Sequence, residues 1–289
     1  MKTYRLSRLI VPLLTAALLF SRAAAQSPEA TEAPAAPDPY AVEVLLPRVL
    51  NTYPHDTDSY TQGLLLQDGV LLESAGLYGE SDLRRVDLKT GEVLQQADLD
   101  ATYFAEGLAL VDDRLIQITW QEGKAFVWDA TTFEPQKTFD YTGEGWGLCY
   151  DGDTLWMTDG SDGLFARDPQ TFEVIERKSV TLQGQVVSNL NELECVGDSI
   201  YANVYLTDAI VRIDKASGII TGLVYAAGLL SESELATLKS GEVLNGIAYM
   251  PDSDTFLITG KHWPKLFEVT FVMAGMLPLP ETPTPTPGS

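Results

Sequence analysis

Five segments of like pattern, recurring 40 to 54 residues apart, predict an all-β chain built as a five-bladed β-propeller. Two further observations point the same way. The core is a series of short β-type runs broken by Asp-Gly, Gly-Glu and Gly-Asp turns. A strand-like stretch ahead of the first copy can also supply a strand that the last copy lacks.

The copies start at Gln62, Glu106, Trp146, Asn191 and Asn245. They read QGLLLQDGVLLES, EGLALVDDRLIQI, WGLCYDGDTLWMT, NELECVGDSIYAN and NGIAYMPDSDTFLIT. Each opens with a polar or aromatic residue, usually followed by glycine and an aliphatic. A short strand, an acidic or glycine turn and a second strand rich in β-formers follow. The step from first residue to second strand is nine residues in four copies (Gln62 to Leu71, Glu106 to Leu115, Trp146 to Leu155, Asn191 to Ile200) and two longer in the fifth, Asn245 to Phe256. The intervals between copies are 44, 40, 45 and 54 residues.

The second halves complete four blades. VDLKTGEVL (Val86 to Leu94), WDATTFEPQ (Trp128 to Gln136), RDPQTFEVI (Arg167 to Ile175) and IDKASGIIT (Ile213 to Thr221) each set an aspartate before a turn and a strand after it. The fifth copy ends at KLFEVTFV (Lys265 to Val272), one strand short, and Val42 to Thr52 can fill that place. Closing the ring so removes an exposed sheet edge. The long fourth interval holds SESELATLK (Ser231 to Lys239), where Ser231 with Glu234 fits a capping box. A short helix is expected there, between blades four and five, with Leu235 and Leu238 turned inward.

The ends read differently. Residues 1–25 have a signal-peptide pattern: basic Lys2, Arg5 and Arg8, an apolar run from Leu9 to Phe20, and Ala23-Ala24-Ala25 before a cleavage expected ahead of Gln26. An uncleaved anchor is the alternative. Residues 26–39 form a Pro/Ala/Glu-rich spacer, residues 40–274 the five-bladed propeller domain, and residues 275–289 a Pro/Thr-rich tail, the flanks expected to be disordered. These features predict a secreted or extracytoplasmic protein. The formal charge of −22 becomes −26 once Lys2, Arg5, Arg8 and Arg22 are removed, which disfavours nucleic acid and anionic membranes as partners. Two cysteines, Cys149 and Cys195, are compatible with a disulfide or with buried thiols. Two histidines, His55 and His262, argue against a His-ligated zinc enzyme.

In a propeller the innermost strands line a central channel, so equivalent positions form rings. The first ring is Gln62, Glu106, Trp146, Asn191 and Asn245. A second, fourteen residues on with allowance for the insertion, is Gly76, Trp120, Gly160, Tyr205 and Lys261. Tyr60 and Phe104 precede Gln62 and Glu106 by two residues and face the same way. One carboxylate, one amine, three carboxamides and several aromatic rings therefore converge. The amides could simply satisfy buried backbone, but a buried Glu106 and Lys261 without function would be costly. Trp128 and Trp156 fall on other registers and read as packing.

The strings YTQGL (Tyr60 to Leu64), FAEGL (Phe104 to Leu108), GEGWGL (Gly143 to Leu148), LNELE (Leu190 to Glu194), LNGIAY (Leu244 to Tyr249) and TGKHWPKLFEV (Thr259 to Val269) resemble the plant- and bacterial-type glutamine cyclotransferase family, typified by the papaya latex enzyme. The resemblance spans Val42 to Val272. It implies a five-bladed propeller and an acyltransferase that turns N-terminal glutamine of peptides or proteins into pyroglutamate with release of ammonia. It also implies catalytic Glu106 with polar partners Lys261, Asn191 and Gln62, and an aromatic wall of Phe104, Trp120 and Trp146. Tyr60 stands where Phe is usual and Tyr205 where Trp is usual; these two and Asn245 complete the expected substrate-binding set. No cofactor and no metal is expected, and the chain is expected to be monomeric. One rival is a metal-dependent lactonase-like propeller with Glu106, Asn191 and Asn245 as ligands, against which the Lys261 ammonium counts. The other is a non-catalytic ligand-binding propeller.

Overall fold

The computed structural model describes residues 38–280; the expected signal peptide, most of the expected spacer and the tail beyond residue 280 lie outside the described residues. The chain is all-β, with a single α-helix, Glu232–Leu235, among the described residues. Three antiparallel sheets each take four strands in chain order. The first runs Thr61–Gln67, Val70–Ala75, Asp82–Asp87 and Val93–Asp98; the second runs Ala105–Val111, Arg114–Thr119, Lys124–Asp129 and Pro135–Asp140. The third contains Leu148–Tyr150, Leu155–Thr158, Gly163–Arg167 and Val174–Ser179.

A fourth sheet has eight strands. Leu190–Val196, Ser199–Val204, Ala209–Asp214 and Ile220–Tyr225 lead into Glu43–Pro54, then Lys265–Met276, Thr255–Gly260 and Leu244–Met250. The first strand of the chain thus pairs antiparallel with the last and meets Ile220–Tyr225 in parallel. The last strand runs to Met276, so a domain boundary at residue 274 would cut it.

The turns form where their aspartates can hold them. Asp87, Asp129, Asp168 and Asp214 each accept, on one carboxylate oxygen, backbone N–H groups two or three residues ahead. Apolar residues collect in five clusters, each spanning two successive groups of four strands. Leu72 and Leu83 meet Leu108 and Leu115; Ala109 and Ile116 meet Leu148 and Leu155; Cys149 and Trp156 meet Leu193 and Ile200. Ile210 and Val224 meet Ile247 and Phe256, and Ala248 and Leu257 return to Leu64 and Leu71. Each fully buried leucine among them contributes about 1.5–3 kcal/mol. Trp128 and Trp156 are packing residues in these clusters.

Cys149 and Cys195 form a disulfide between Leu148–Tyr150 and the neighbouring strand Leu190–Val196. In the helix, Ser231 accepts from Glu234 N and the Glu234 carboxylate accepts in return, the reciprocal cap that the sequence suggests. The inward turn of Leu235 is corrected: it is 49% exposed, while Leu238 packs against the cluster around Leu230 and Trp263. Four helical residues present too little face to bury both, and an ion pair from Lys265 to Glu234 holds the segment by its polar side.

A buried polar knot joins the residues after the first strand to those before the last. Glu73 Oε1 accepts from Ser59 Oγ at 2.6 Å and Thr61 Oγ1 at 2.7 Å, and pairs with His55 Nε2 at 3.1 Å. His55 Nδ1 lies 2.7 Å from the Trp263 carbonyl. Burial alone would raise Glu73, but His55 and the hydroxyls outweigh it and hold the carboxyl at about 2. Burial would lower His55, and Glu73 overcomes it, so His55 is raised.

Two measurements test these contacts. Glu73 stabilises above its ordinary 4.5 and loses that contribution as pH falls towards about 2. His55 stabilises below its ordinary 6.5 and loses it as pH rises through its raised folded value. The Tm gap between the parent and His55→Gln should therefore be widest between those two ordinary values and shrink on both sides. Replacing both cysteines by serine, or reducing them, should lower unfolding free energy in a urea titration by about 4 kcal/mol, the loop-entropy value for a separation of 46 residues.

Candidate active site

Why the first-ring residues face the centre follows from local backbone. In four innermost strands the pairing register slips at the ring position: between Thr61 and Gly63, Ala105 and Leu108, Leu190 and Leu193, and Leu244 and Ile247. A slip of this kind is a β-bulge, which frees a residue from the ladder and re-aims its side chain. Gln62, Glu106, Asn191 and Asn245 all occupy such slips, and Trp146 precedes the strand Leu148–Tyr150. The glycine that follows is needed for close approach: a Cβ on Gly107 would lie 2.4 Å from Leu148 N, and one on Gly147 2.0 Å from Asn191 O.

Tyr60, Gln62, Phe104, Glu106, Trp120, Trp146, Asn191, Tyr205 and Lys261 line one solvent-accessible cavity of about 180 Å³. Asn245, fully buried, does not reach its wall; its Nδ2 donates to Thr61 O at 2.9 Å and to Gln62 Oε1 at 3.2 Å. The Gln62 carboxamide bridges the two charged groups. Its Nε2 donates to Glu106 Oε1 at 3.0 Å, and its Oε1 accepts from Lys261 Nζ. Lys261 Nζ also sits 4.4 Å from the Tyr60 ring centroid and 5.7 Å from that of Tyr205. Glu106 Oε2 and Asn191 Oδ1 are buried with no protein partner among the described residues.

The electrostatics follow from burial. Glu106 is pushed well above the usual carboxylate range by burial; Lys261 opposes this, and Glu144 and Glu122 add to it. Burial lowers Lys261 to about 7 against the pull of Glu106 and Glu192. The centre therefore holds a carboxyl of raised proton affinity and an amine of lowered proton affinity.

The aromatic half depends on two missing side chains. The Phe104 ring fills the space beside Gly76, where a Cβ would come within 2.5 Å of it, and the Trp146 indole occupies the same kind of space beside Gly160. Edge contacts extend the wall: Phe104 with Trp120 at 5.6 Å, Tyr60 with Phe104 at 6.1 Å, and Trp146 with Tyr205 at 5.6 Å.

A profile of the family described as glutamine cyclotransferase matches residues 15–271. The chain belongs to that family. A glutaminyl-peptide cyclotransferase of Arabidopsis thaliana is 41% identical over 232 residues, covering 78% of this chain and 71% of that protein. A crystal structure of Myxococcus xanthus glutaminyl cyclase superposes with a TM-score of 0.76 at 36% identity, covering 81% of this chain and all of that one.

Nine of the ten residues singled out from the sequence line the cavity, and Asn245 supports Gln62 from beneath. Four others escaped the sequence reading. Glu144 Oε2 accepts both the Trp120 and Trp146 indole N–H groups, at 2.8 and 2.9 Å. Glu122 accepts from Tyr78 OH at 2.7 Å and from Phe104 N at 3.3 Å, and Tyr78 edges onto the Phe104 ring. Glu192, 1% exposed, accepts from Leu64 N and Ile247 N, capping two other innermost strands. A usable signal was present for Glu144 and Glu192, since both fall inside the family-like strings GEGWGL and LNELE.

Gly160 has φ +79 and lies against the Trp146 ring. Gly160→Ala should cost about 1–3 kcal/mol through backbone strain and displace the indole. A lower Tm together with altered tryptophan emission would be the expected result.

Proposed function

We propose that the chain is a glutaminyl-peptide cyclotransferase acting on peptides or proteins with N-terminal glutamine, with Glu106 as its acid/base. The observation that carries the reading is that Glu106 Oε2 and Asn191 Oδ1 are both unpartnered among the described residues, and both residues line one aromatic-walled cavity. Buried polar atoms of this kind are ordinarily satisfied. An α-amine on Glu106 and a carboxamide N–H on Asn191 would satisfy both.

The steps balance with these residues alone. Ionised Glu106 takes a proton from the substrate's α-ammonium. The neutral amine then attacks its own side-chain carboxamide carbon, forming the ring C–N bond as the carbonyl electrons move to oxygen. Glu106 passes its proton to the amide nitrogen and takes one from the ring nitrogen. The carbonyl re-forms, the old C–N bond breaks and ammonia leaves, carrying the proton Glu106 then releases. A base with raised proton affinity suits an amine whose ordinary pKa is about 8. Lys261, holding the Gln62 oxygen, keeps the Gln62 N–H directed at Glu106. An ammonium at this centre would also repel a divalent cation, which favours this reading over a metal-dependent lactonase.

Five propeller blades account for the strand groups, with Glu43–Pro54 completing the last; the five inter-group clusters and the recurring bulges support that count. Export through the leader is part of the proposal, and the Cys149–Cys195 disulfide, suited to an oxidising compartment, supports it.

The test is ammonia release from a Gln-initiated dipeptide, with and without EDTA, beside Glu106→Gln. Turnover that survives EDTA and falls about 10²–10⁴-fold in the variant is expected. No ammonia from several Gln-initiated peptides would sink the assignment.

A further inference from the structure

Trp120 and Trp146 stand on two parts of the aromatic wall. Trp120 packs on Phe104 and Tyr78, and Trp146 packs on Tyr205. Among the described aromatic pairs the two indoles do not touch each other. What joins them is Glu144, whose Oε2 takes both indole N–H groups while its Oε1 takes Gln121 Nε2 at 3.0 Å. No cation pairs with this carboxylate among the described residues, so its charge is held by side-chain N–H donors, two of them from residues that line the cavity.

We propose that Glu144 is a positioning residue of the cyclisation: one carboxylate oxygen locks the two parts of the aromatic wall at a fixed separation, and its charge faces the reacting centre. The proposal rests on the reading of the cavity as a glutaminyl cyclase site. Ring closure needs the substrate side chain folded back on its own amine, and a wall that holds this geometry shortens the search for it. Two indole N–H groups converging on one oxygen fix the distance between the ring edges. Released, each ring would keep only its packing contacts.

The charge has a separate consequence. Glu106 is faced by Lys261, which lowers its proton affinity, and by Glu144 and Glu122, which raise it, with Tyr60, Tyr78 and Tyr141 close enough to feel its charge. Burial would raise Glu144 itself, but the bonds from Trp146, Gln121 and Trp120 overcome this and keep it below the usual carboxylate range. It therefore remains ionised wherever Glu106 titrates. Neutralising it should move the Glu106-dependent rising limb of kcat/KM to lower pH.

Two variants separate geometry from charge. Glu144→Ala removes both, and should lower kcat/KM about 10- to 100-fold, mainly through KM, with loss of near-ultraviolet circular dichroism from the freed indoles. Glu144→Gln keeps an oxygen for the N–H groups. It should recover most of the KM and of the dichroism while retaining the limb shifted to lower pH. Parent-like KM, kcat, dichroism and pH profile in both variants would overturn the proposal. So would equal losses in both with an unmoved limb. Thermal unfolding identifies an alanine variant that fails to fold, and the glutamine variant then decides by its limb. An inactive parent would count against the cyclase assignment itself, whereas the dichroism would still read the clamp.

Discussion

The site depends on how closely the innermost strands can approach one another. A bulge turns one side chain of four of these strands into the centre, Trp146 enters just ahead of the fifth, and the residue that follows must then lie against the neighbouring backbone. Glycine does this at positions 63, 107 and 147, where any Cβ would press into the next strand. The fourth strand breaks the pattern with Glu192, whose carboxylate reaches instead to the free N–H groups of Leu64 and Ile247. A group so buried keeps a high proton affinity, through desolvation first and the nearby Glu194 second. That cost is acceptable because two backbone donors would otherwise be orphaned in the core.

On this frame the polar centre is a chain and not a pair. Glu106 and Lys261 are joined through Gln62, which donates to one and accepts from the other, and Asn245 fixes the Gln62 oxygen from below. An amide between two ionisable groups spares them a direct ion pair, whose stability would resist the proton exchanges that catalysis needs. The Tyr60 and Tyr205 rings lie against the Lys261 amine, a contact that favours its charged form.

Much of this was legible in the amino-acid order, because a repeat with a fixed step marks equivalent places in space. Gln62, Glu106 and Lys261 could be grouped by counting from one copy to the next, and the Ser231–Glu234 cap could be read from spacing alone. Contacts made by long side chains from the loops that connect strands were not legible. Glu122 and Glu144 lie outside both rings, and nothing in their spacing says that their carboxylates curl back beneath the aromatic wall. The inward turn expected of Leu235 failed for a related reason: periodicity tells which face a residue occupies, but a four-residue helix held by Lys265 does not rotate that face to the core. Pairing of Cys149 with Cys195 needed the adjacency of two strands that are 46 residues apart.

The strand Glu43–Pro54 finds its antiparallel partner only in Lys265–Met276. Nearly the whole domain must therefore emerge from the ribosome before its two ends can meet, and contacts of such long sequence separation slow folding. Until then Lys261 has no place beside Gln62, and both terminal strands present open edges. A chain interrupted before its final strand would be an inert and sticky fragment, so the enzyme's activity is born in one late event at its seam.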